Sequence, residues 1–168
     1  HRWSNLQNWN SFYSKKDPFN IIDSVEEKNK NDIIIDLIIK KNPSKIIDLG
    51  CGEGFWTSTY FSEKIEIFAC DVSSKAIERA QHYYGNIINF FAWDITKAFE
   101  SKFIKKFDIV ICNEVLYYID PKKYPQVVNN IFSLLNDNGY LILSLGHYFD
   151  IADVKVSFKK LNIDFHKE

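Results

Sequence analysis

Five short, nearly continuous apolar runs, at 46–49, 65–70, 88–92, 107–112 and 140–145, alternate with segments of helical period. No other feature of the chain constrains its fold so strongly. Runs of this length without polar alternation suit strands that are covered on both faces. Strands interleaved with helices imply a parallel sheet with right-handed crossovers, the doubly wound α/β architecture. The helical signals are local. Ser24 and Glu27 match a capping box ahead of Ile34, Leu37, Ile38 and Lys41 at helical spacing, and Asn42-Pro43 ends that segment. Further helices are expected over 54–62, over 74–84 with Ser73 or Ser74 as N-cap, near 97–104, and from the Asp120-Pro121 pair to about residue 135. The NDNG stretch at 136–139 reads as a turn before the last strand.

The chain has 168 residues, enough for one such domain, with 46% hydrophobic and 26% charged residues, the balance of a globular protein. A formal net charge of −1 offers no surplus of Lys and Arg for a phosphate backbone, so nucleic acid is not an expected partner. Cys51, Cys70 and Cys112 are spaced too widely for a CxxC metal or redox motif, and no metal is expected. Two of them sit in strand contexts as reduced, buried thiols, which fits a cytoplasmic location. No apolar run reaches about 18 residues, so no membrane partner is expected. The chain starts without Met, which reads as a trimmed or engineered start. Residues 1–23 carry Trp3, Trp9, Phe12 and Tyr13 followed by KKDPFN, too aromatic for a disordered tail. They are expected to clad the main domain, 24–168, or to act as a lid over it.

Doubly wound sheets bind ligands beyond the carboxyl ends of their strands. The residues just after each run are Gly50 to Gly54, Asp71, Trp93-Asp94, Asn113-Glu114 and Gly146-His147. Gly50, Gly52 and Gly54 give G-x-G-x-G. A dinucleotide fingerprint needs a third glycine where this chain has Phe55, and the G-K-[ST] of a phosphate loop is missing. A ligand with an amino-acid tail suits the loop better, because its glycines admit close approach and N–H groups at a helix start can take a carboxylate. Asp71 ends the next strand, where a carboxylate can accept from both ribose hydroxyls and repels a 2′-phosphate. Asp94 can accept from an adenine amino group while Trp93 and other apolar neighbours sandwich the ring. Together the three features point to an adenosine ligand.

The motifs DLGCGEG, ACDVS, WDI, FDIVICNEVLYYI and LNDNGYLILS, in that order, resemble those of class I S-adenosylmethionine-dependent methyltransferases over roughly residues 24–150. NEVLYYI and the upstream DPFNIIDSVEEKNK are similar to nodulation-type N-methyltransferases, through Asp17, Pro18, Phe19, Ser24, Glu27 and Lys30. The resemblance implies a Rossmann-like, mostly parallel sheet. It implies S-adenosyl-L-methionine as cofactor, with S-adenosyl-L-homocysteine as product. It implies that Asp48, Gly50, Cys51, Gly52 and Gly54 surround the methionine part, with Asp71 and Val72 at the ribose. Trp93, Asp94 and Ile95 would meet the adenine, and Asn113 and Glu114 would line the methyl-donor end. After the fifth strand such proteins carry a helix and an antiparallel hairpin. Here 150–161 reads as an amphipathic helix and 163–168 could begin a sixth strand, so a seventh is expected to be missing.

A sulfonium methyl is already activated, so the protein must chiefly hold an acceptor close, oriented and desolvated. Candidates beside the acceptor are Glu114, Tyr117 or Tyr118, His147 after the fifth strand, and Tyr13 in the N-terminal segment. Adjacent residues point different ways, so one of the two tyrosines is expected in the core. The leading expectation is methyl transfer to an N or O atom of a small molecule, an amine, sugar or other metabolite. The alternatives are an RNA or protein methyltransferase, a non-catalytic S-adenosylmethionine-binding partner, and a nicotinamide oxidoreductase, against which Phe55 argues.

Overall fold

A computed structural model of the chain describes residues 6–145. Trp3, His147, the expected helix at 150–161 and the expected strand at 163–168 lie outside the described residues. Helices α1 (Leu6–Phe12) and α2 (Val25–Lys41) precede strand β1 (Lys45–Leu49). Then come α3 (Phe55–Ser58), β2 (Glu66–Asp71), α4 (Ser74–Tyr84) and β3 (Asn89–Ala92), followed by β4 (Phe107–Asn113), α5 (Tyr124–Leu134) and β5 (Leu135–Ser144). All five strands run parallel in the order β3-β2-β1-β4-β5. The expected α/β sheet is therefore present, and its winding reverses between β1 and β4. The carboxyl ends of those two strands open the crevice where ligands of such sheets bind.

The strands are apolar on both sides because both sides are core. Side chains alternate along a strand, so neighbours in sequence serve opposite faces. Ile46, Ile67, Ala69, Ile109 and Ile111 pack against Ile34 and Ile38 of α2. Ile47, Leu49, Cys70, Val110 and Cys112 pack with Val127, Val128, Ile131 and Leu134 of α5 and with Phe99, Phe103 and Phe107. Helix α2 starts as its sequence suggests, with the Ser24 hydroxyl accepting from the Glu27 N–H at 3.2 Å. It ends at Asn42, whose left-handed backbone (φ 47°) returns its N–H to the Ile38 carbonyl.

Three local expectations need correction. The helix after the glycine loop is only Phe55–Ser58. Ser58 and Thr59 hydroxyls donate to the Phe55 and Trp56 carbonyls at 2.7 and 2.6 Å, and the next N–H groups bond three residues back rather than four. Such bonds tighten and end a helix. At 97–104 only Ser101–Phe103 forms a short 3₁₀ turn. The preceding carbonyls of Ile95 and Lys97 are held instead by the Asn130 side-chain amide of α5, at 2.9 and 3.0 Å. At NDNG the strand has already begun. Leu135 pairs with Phe107 and Tyr140 with Ile109, so 136–139 bulge between them, with the Asn138 N–H donating to the Asn136 side chain.

Candidate functional site

A cavity of about 800 Å³ lies over the carboxyl ends of β1, β2 and β4. The glycine loop forms one wall. Gly50 and Cys51 donate their N–H groups to the Cys70 carbonyl, at 2.7 and 3.0 Å, so the loop is strapped to the end of β2. The Gly52 N–H donates to Asp71 Oδ2 at 3.0 Å. Gly52 has φ 54°, and a Cβ there would lie 2.8 Å from the Tyr13 hydroxyl oxygen, so a side chain is barred twice over. Three loop donors that a ligand carboxylate could have used are thus already engaged.

Asp71 also accepts from the Ser73 N–H at 2.9 Å and from the Val72 N–H. Its pKa is nevertheless raised, because burial outweighs those bonds. Asp48, on β1, is pushed up to about 6 by burial, with the Asp71 charge adding to the shift and the Thr57 hydroxyl, donating at 2.5 Å, opposing it. Burial likewise pushes up the Cys51, Cys70 and Cys112 thiols, so none is primed as a thiolate nucleophile. Asp94 fixes its own turn by accepting from the Thr96 N–H at 2.9 Å, and Trp93 stacks on Phe99 at 5.8 Å.

The opposite wall grows from the end of β4. Glu114 sits in the left-handed region, φ 57°, an unusual place for a non-glycine residue. It is pinned there by its N–H to the Ser144 carbonyl at 3.1 Å and by the Ser144 hydroxyl, which donates to Oε1 at 2.6 Å. The Tyr117 hydroxyl lies within hydrogen-bonding reach of Tyr118 and of the Glu114 carboxylate, and its pKa is raised by burial first, by Tyr118 next and by Glu114 least. Lys30 of α2 reaches in, 2.5 Å from Glu27 Oε1 and 3.8 Å from Glu114 Oε1. Burial works to lower the Lys30 pKa, but the glutamates outweigh it and hold it above its ordinary value. Neither Tyr117 nor Tyr118 is in the core, contrary to expectation. Their rings lie 4.3 Å apart, half-buried, both on the cavity, because a 3₁₀ turn over Leu116–Tyr118 spends its inward position on Leu116.

The N-terminal segment roofs the cavity. Trp9 meets Tyr118 edge-on at 4.9 Å, Phe19 lies 6.3 Å from the same ring, and Tyr13 is buried beneath them. Polar bonds clamp this roof. Arg79 of α4 donates to the Tyr13 carbonyl and, at 2.8 Å, to the Lys15 carbonyl, and it pairs with Glu53. Glu53 accepts in turn from the Asp17 N–H at 2.7 Å. The Ser73 hydroxyl donates to the Asn10 side chain at 2.8 Å.

Most residues singled out in the sequence meet in this one space. Asp48, Gly50, Cys51, Gly52, Asp71 and Val72 line it, as do Trp93, Asp94, Ile95, Asn113 and Glu114, together with Tyr13 and Tyr117. Gly54 is placed apart from them, with the Phe90 ring and Ala80 packed against its back. His147 lies outside the described residues. The sequence reading missed Trp56, Thr57 and Tyr60, which also line the cavity. Their spacing, one helical turn directly after the glycine loop, is the signal that could have found them. Among the described residues no cluster of His, Cys, Asp or Glu could hold a metal ion, and no helix is long and apolar enough to cross a membrane.

Known proteins share parts of this sequence and its fold. Carboxy-S-adenosyl-L-methionine synthase of Psychrobacter sp. is 32% identical over 116 residues, which cover 62% of this chain and 41% of that protein. Nodulation protein S of Azorhizobium caulinodans is 26% identical over 145 residues, covering 80% of this chain and 69% of the relative. The chain therefore spans less than half the length of the first of these relatives and about two thirds of the second. Among solved structures, the N-methyltransferase NodS of Bradyrhizobium japonicum in complex with S-adenosyl-L-homocysteine superposes with a TM-score of 0.71 at 23% identity. The match covers 81% of this chain and 70% of that one, and it speaks for the fold. The family described as "Methyltransferase domain" matches residues 47–141, more than half of the chain, and the chain belongs to that family.

Proposed function

We propose that this protein transfers a methyl group from S-adenosyl-L-methionine to an N or O atom of a small molecule. One observation carries the reading. Six carboxylates, Glu27, Asp48, Asp71, Asp94, Glu114 and Asp120, line a single cavity against two lysines, Lys97 and Lys123, and outnumber them even with Lys30 paired to Glu27 and Glu114 behind the wall. A cavity of that sign favours a cationic ligand and resists an anionic one. A sulfonium donor with an α-ammonium group is cationic, whereas a dinucleotide or an RNA backbone brings phosphates. An additional carboxylate, such as the name of the Psychrobacter relative implies, would face the same acidic surroundings, so plain methyl transfer is the better fit.

The residues suit the donor. Asp71, at the end of β2, would take the ribose hydroxyls, and Asp94 with Trp93 and Ile95 would take the adenine. Bound there, S-adenosylmethionine supplies a methyl group already activated by the sulfonium. The work left to the chain is to bind, orient and exclude water. The aromatic segment 9–19 covers the cavity as a lid, and Tyr117 and Tyr118 present ring faces to a cation. Glu114, fixed by Ser144 and Tyr117, orients an acceptor amine or hydroxyl and receives the proton that the acceptor loses. Thermal shift with S-adenosylmethionine, S-adenosylhomocysteine and NAD in excess tests the donor, because a ligand of the folded state raises its stability. The sulfonium compound and its product should stabilise the protein. Stabilisation by NAD alone overturns the reading. Release of S-adenosylhomocysteine against a panel of amines, sugars and RNA then identifies the acceptor class, and turnover with RNA alone refutes the small-molecule part.

A further inference from the structure

Strand β3 (Asn89–Ala92) pairs only with β2, and no strand lies on its other side among the described residues. Parallel strands are usually joined through a helix that lies across the sheet. The chain from β3 to β4 forms only the 3₁₀ turn Ser101–Phe103. A groove of about 530 Å³ is left beside β3, lined by the rings of Phe68, Phe91 and Phe103 and by Lys45, Glu100 and Lys102. Every residue from 89 to 93 lines it, so the backbone edge of the strand faces the groove as well as its side chains.

Open edges invite pairing, and proteins guard them with charges, proline or bulges. This strand carries no such guard. Between His82 and Asp94 the chain has neither a charged residue nor a proline, and β3 runs beside β2 without a bulge. The direction of its free groups follows from the register. The Trp93 N–H donates to the Asp71 carbonyl at 2.9 Å, and Asp71 is the register partner of Ala92. Peptide groups alternate in direction along a strand, so Asn89, Phe91 and Trp93 turn theirs to β2. Phe90 and Ala92 turn theirs to the open side. The Phe91 side chain meanwhile lines the groove, stacked on Phe103 at 5.0 Å and 8°.

We propose that this edge is the interface to a second copy of the chain, the two β3 strands pairing antiparallel about a two-fold axis at Phe91. In that register Phe90 faces the partner's Ala92, and Ala92 faces the partner's Phe90. Each facing couple exchanges two N–H···O bonds, so every outward group of both residues is satisfied. The two Phe91 residues meet at the axis as a non-hydrogen-bonded pair, the closer kind, and each ring covers the groove of the other copy. The strand is thus complementary to itself, as closed two-fold dimers require. The groove's rim favours a second copy over an unrelated peptide. Glu100 and Lys102 are exposed there with opposite signs, and a two-fold sets that mixed rim against its own complement. The inference stands apart from the methyl-donor reading, although Trp93, next after β3, lines this groove and the main cavity alike.

Amide hydrogen exchange of the full chain, read by NMR at two concentrations, tests it without any variant. The Phe90 and Ala92 amides should exchange about three- to fivefold more slowly at about 500 μM than at about 10 μM, because association protects by mass action. Sedimentation velocity over the same range should show a reversible monomer–dimer equilibrium, as suits an interface below the standard size. Ala92→Pro removes an N–H that β2 does not use, an edge position where proline is tolerated. It should keep the circular dichroism spectrum of the wild type and stay monomeric throughout. Wild-type protein that is monomeric at every concentration leaves the edge to some other partner and overturns the proposal. A dimer in which Phe90 and Ala92 exchange as fast as in the monomer overturns it too, as does a folded Ala92→Pro protein that still dimerises. The exchange pattern of the wild type decides whether or not that variant folds.

Discussion

At the carboxyl ends of β1 and β2, Asp48 and Asp71 are buried and their pKa values are raised, Asp48 to about 6. At the other end of the sheet Asp108, the second residue of β4, collects the Ser44 N–H and hydroxyl at 2.7 and 2.8 Å, the Lys45 N–H at 2.9 Å and the Asn136 amide at 2.5 Å. Its pKa is lowered: although burial works against it, burial there is slight and these four bonds prevail. All three acids accept hydrogen bonds, so the bonds alone do not set the sign. Depth does. An ion that keeps its water gains from each donor, whereas an ion sunk beneath a roof must first recover its hydration. The lower end of the sheet therefore adds stability, and the upper end spends some on groups held ready for a ligand.

The largest effect expected from this contrast is on binding. Asp71→Asn should lower affinity for S-adenosylhomocysteine by about 100-fold, roughly 3 kcal/mol, the upper range for hydrogen bonds to a charged group. Titration measures it, and an unchanged Kd would detach Asp71 from the ribose. Asp48→Asn comes next, and it acts on stability. Folding raises the Asp48 pKa from 3.8 to about 6, so its stabilising effect is complete below about pH 3.8 and is lost as pH rises toward 6. Its ionised form therefore costs the folded protein about 3 kcal/mol at neutral pH. The asparagine variant, whose amide oxygen can still accept from Thr57, should be more stable than wild type at pH 7 and equal to it near pH 3.5. Denaturant unfolding at the two pH values decides, and a variant weaker at pH 7 contradicts the sign.

Asp108→Ala should behave in the opposite sense. The folded pKa of Asp108 is depressed, so its contribution is present above the ordinary carboxylate value and is lost as pH falls through the lower folded one. Because the site is largely solvated, its loss should cost only about 1–1.5 kcal/mol at pH 7, with ligand affinity unchanged. A loss of affinity matching that at Asp71 would erase the distinction between the two ends.

The fold and the cavity wall that carries Gly50, Asp71 and Asp94 could be read from sequence because both are local. Strand runs announce their own burial, and Gly50, Asp71 and Asp94 each sit where their own strand ends. The roof and the wall around Glu114 could not be read so far. Lys30 meets Glu114, and Ser144 holds it, across long separations that no periodicity encodes. The side of Tyr117 that faces the cavity depends on a 3₁₀ turn over Leu116–Tyr118, for which the sequence carries no period of its own. Trp56 was hidden for a different reason: a tryptophan directly after a glycine loop reads as core packing until the cavity it lines is seen.

The smallest effect concerns the roof, where the two ends of the sheet differ most in access. Arg79 ties the backbone of Tyr13 and Lys15 to Glu53 across the cavity edge. Arg79→Ala should leave the sheet and its carboxylates in place and loosen only the segment over them. S-adenosylhomocysteine should then dissociate about three- to fivefold faster, under about 1 kcal/mol in free energy. The exposed Lys15 and Lys16 should become more readily cut by trypsin, and ligand should protect them less well than in wild type. Stopped-flow displacement and timed digestion report the two effects separately. Faster cleavage with unchanged dissociation would show that the segment moves without controlling the cavity. If neither changes, the buried carboxylates owe their depth to the aromatic contacts of Trp9 and Phe19 with Tyr118, and the polar clamp is incidental to it.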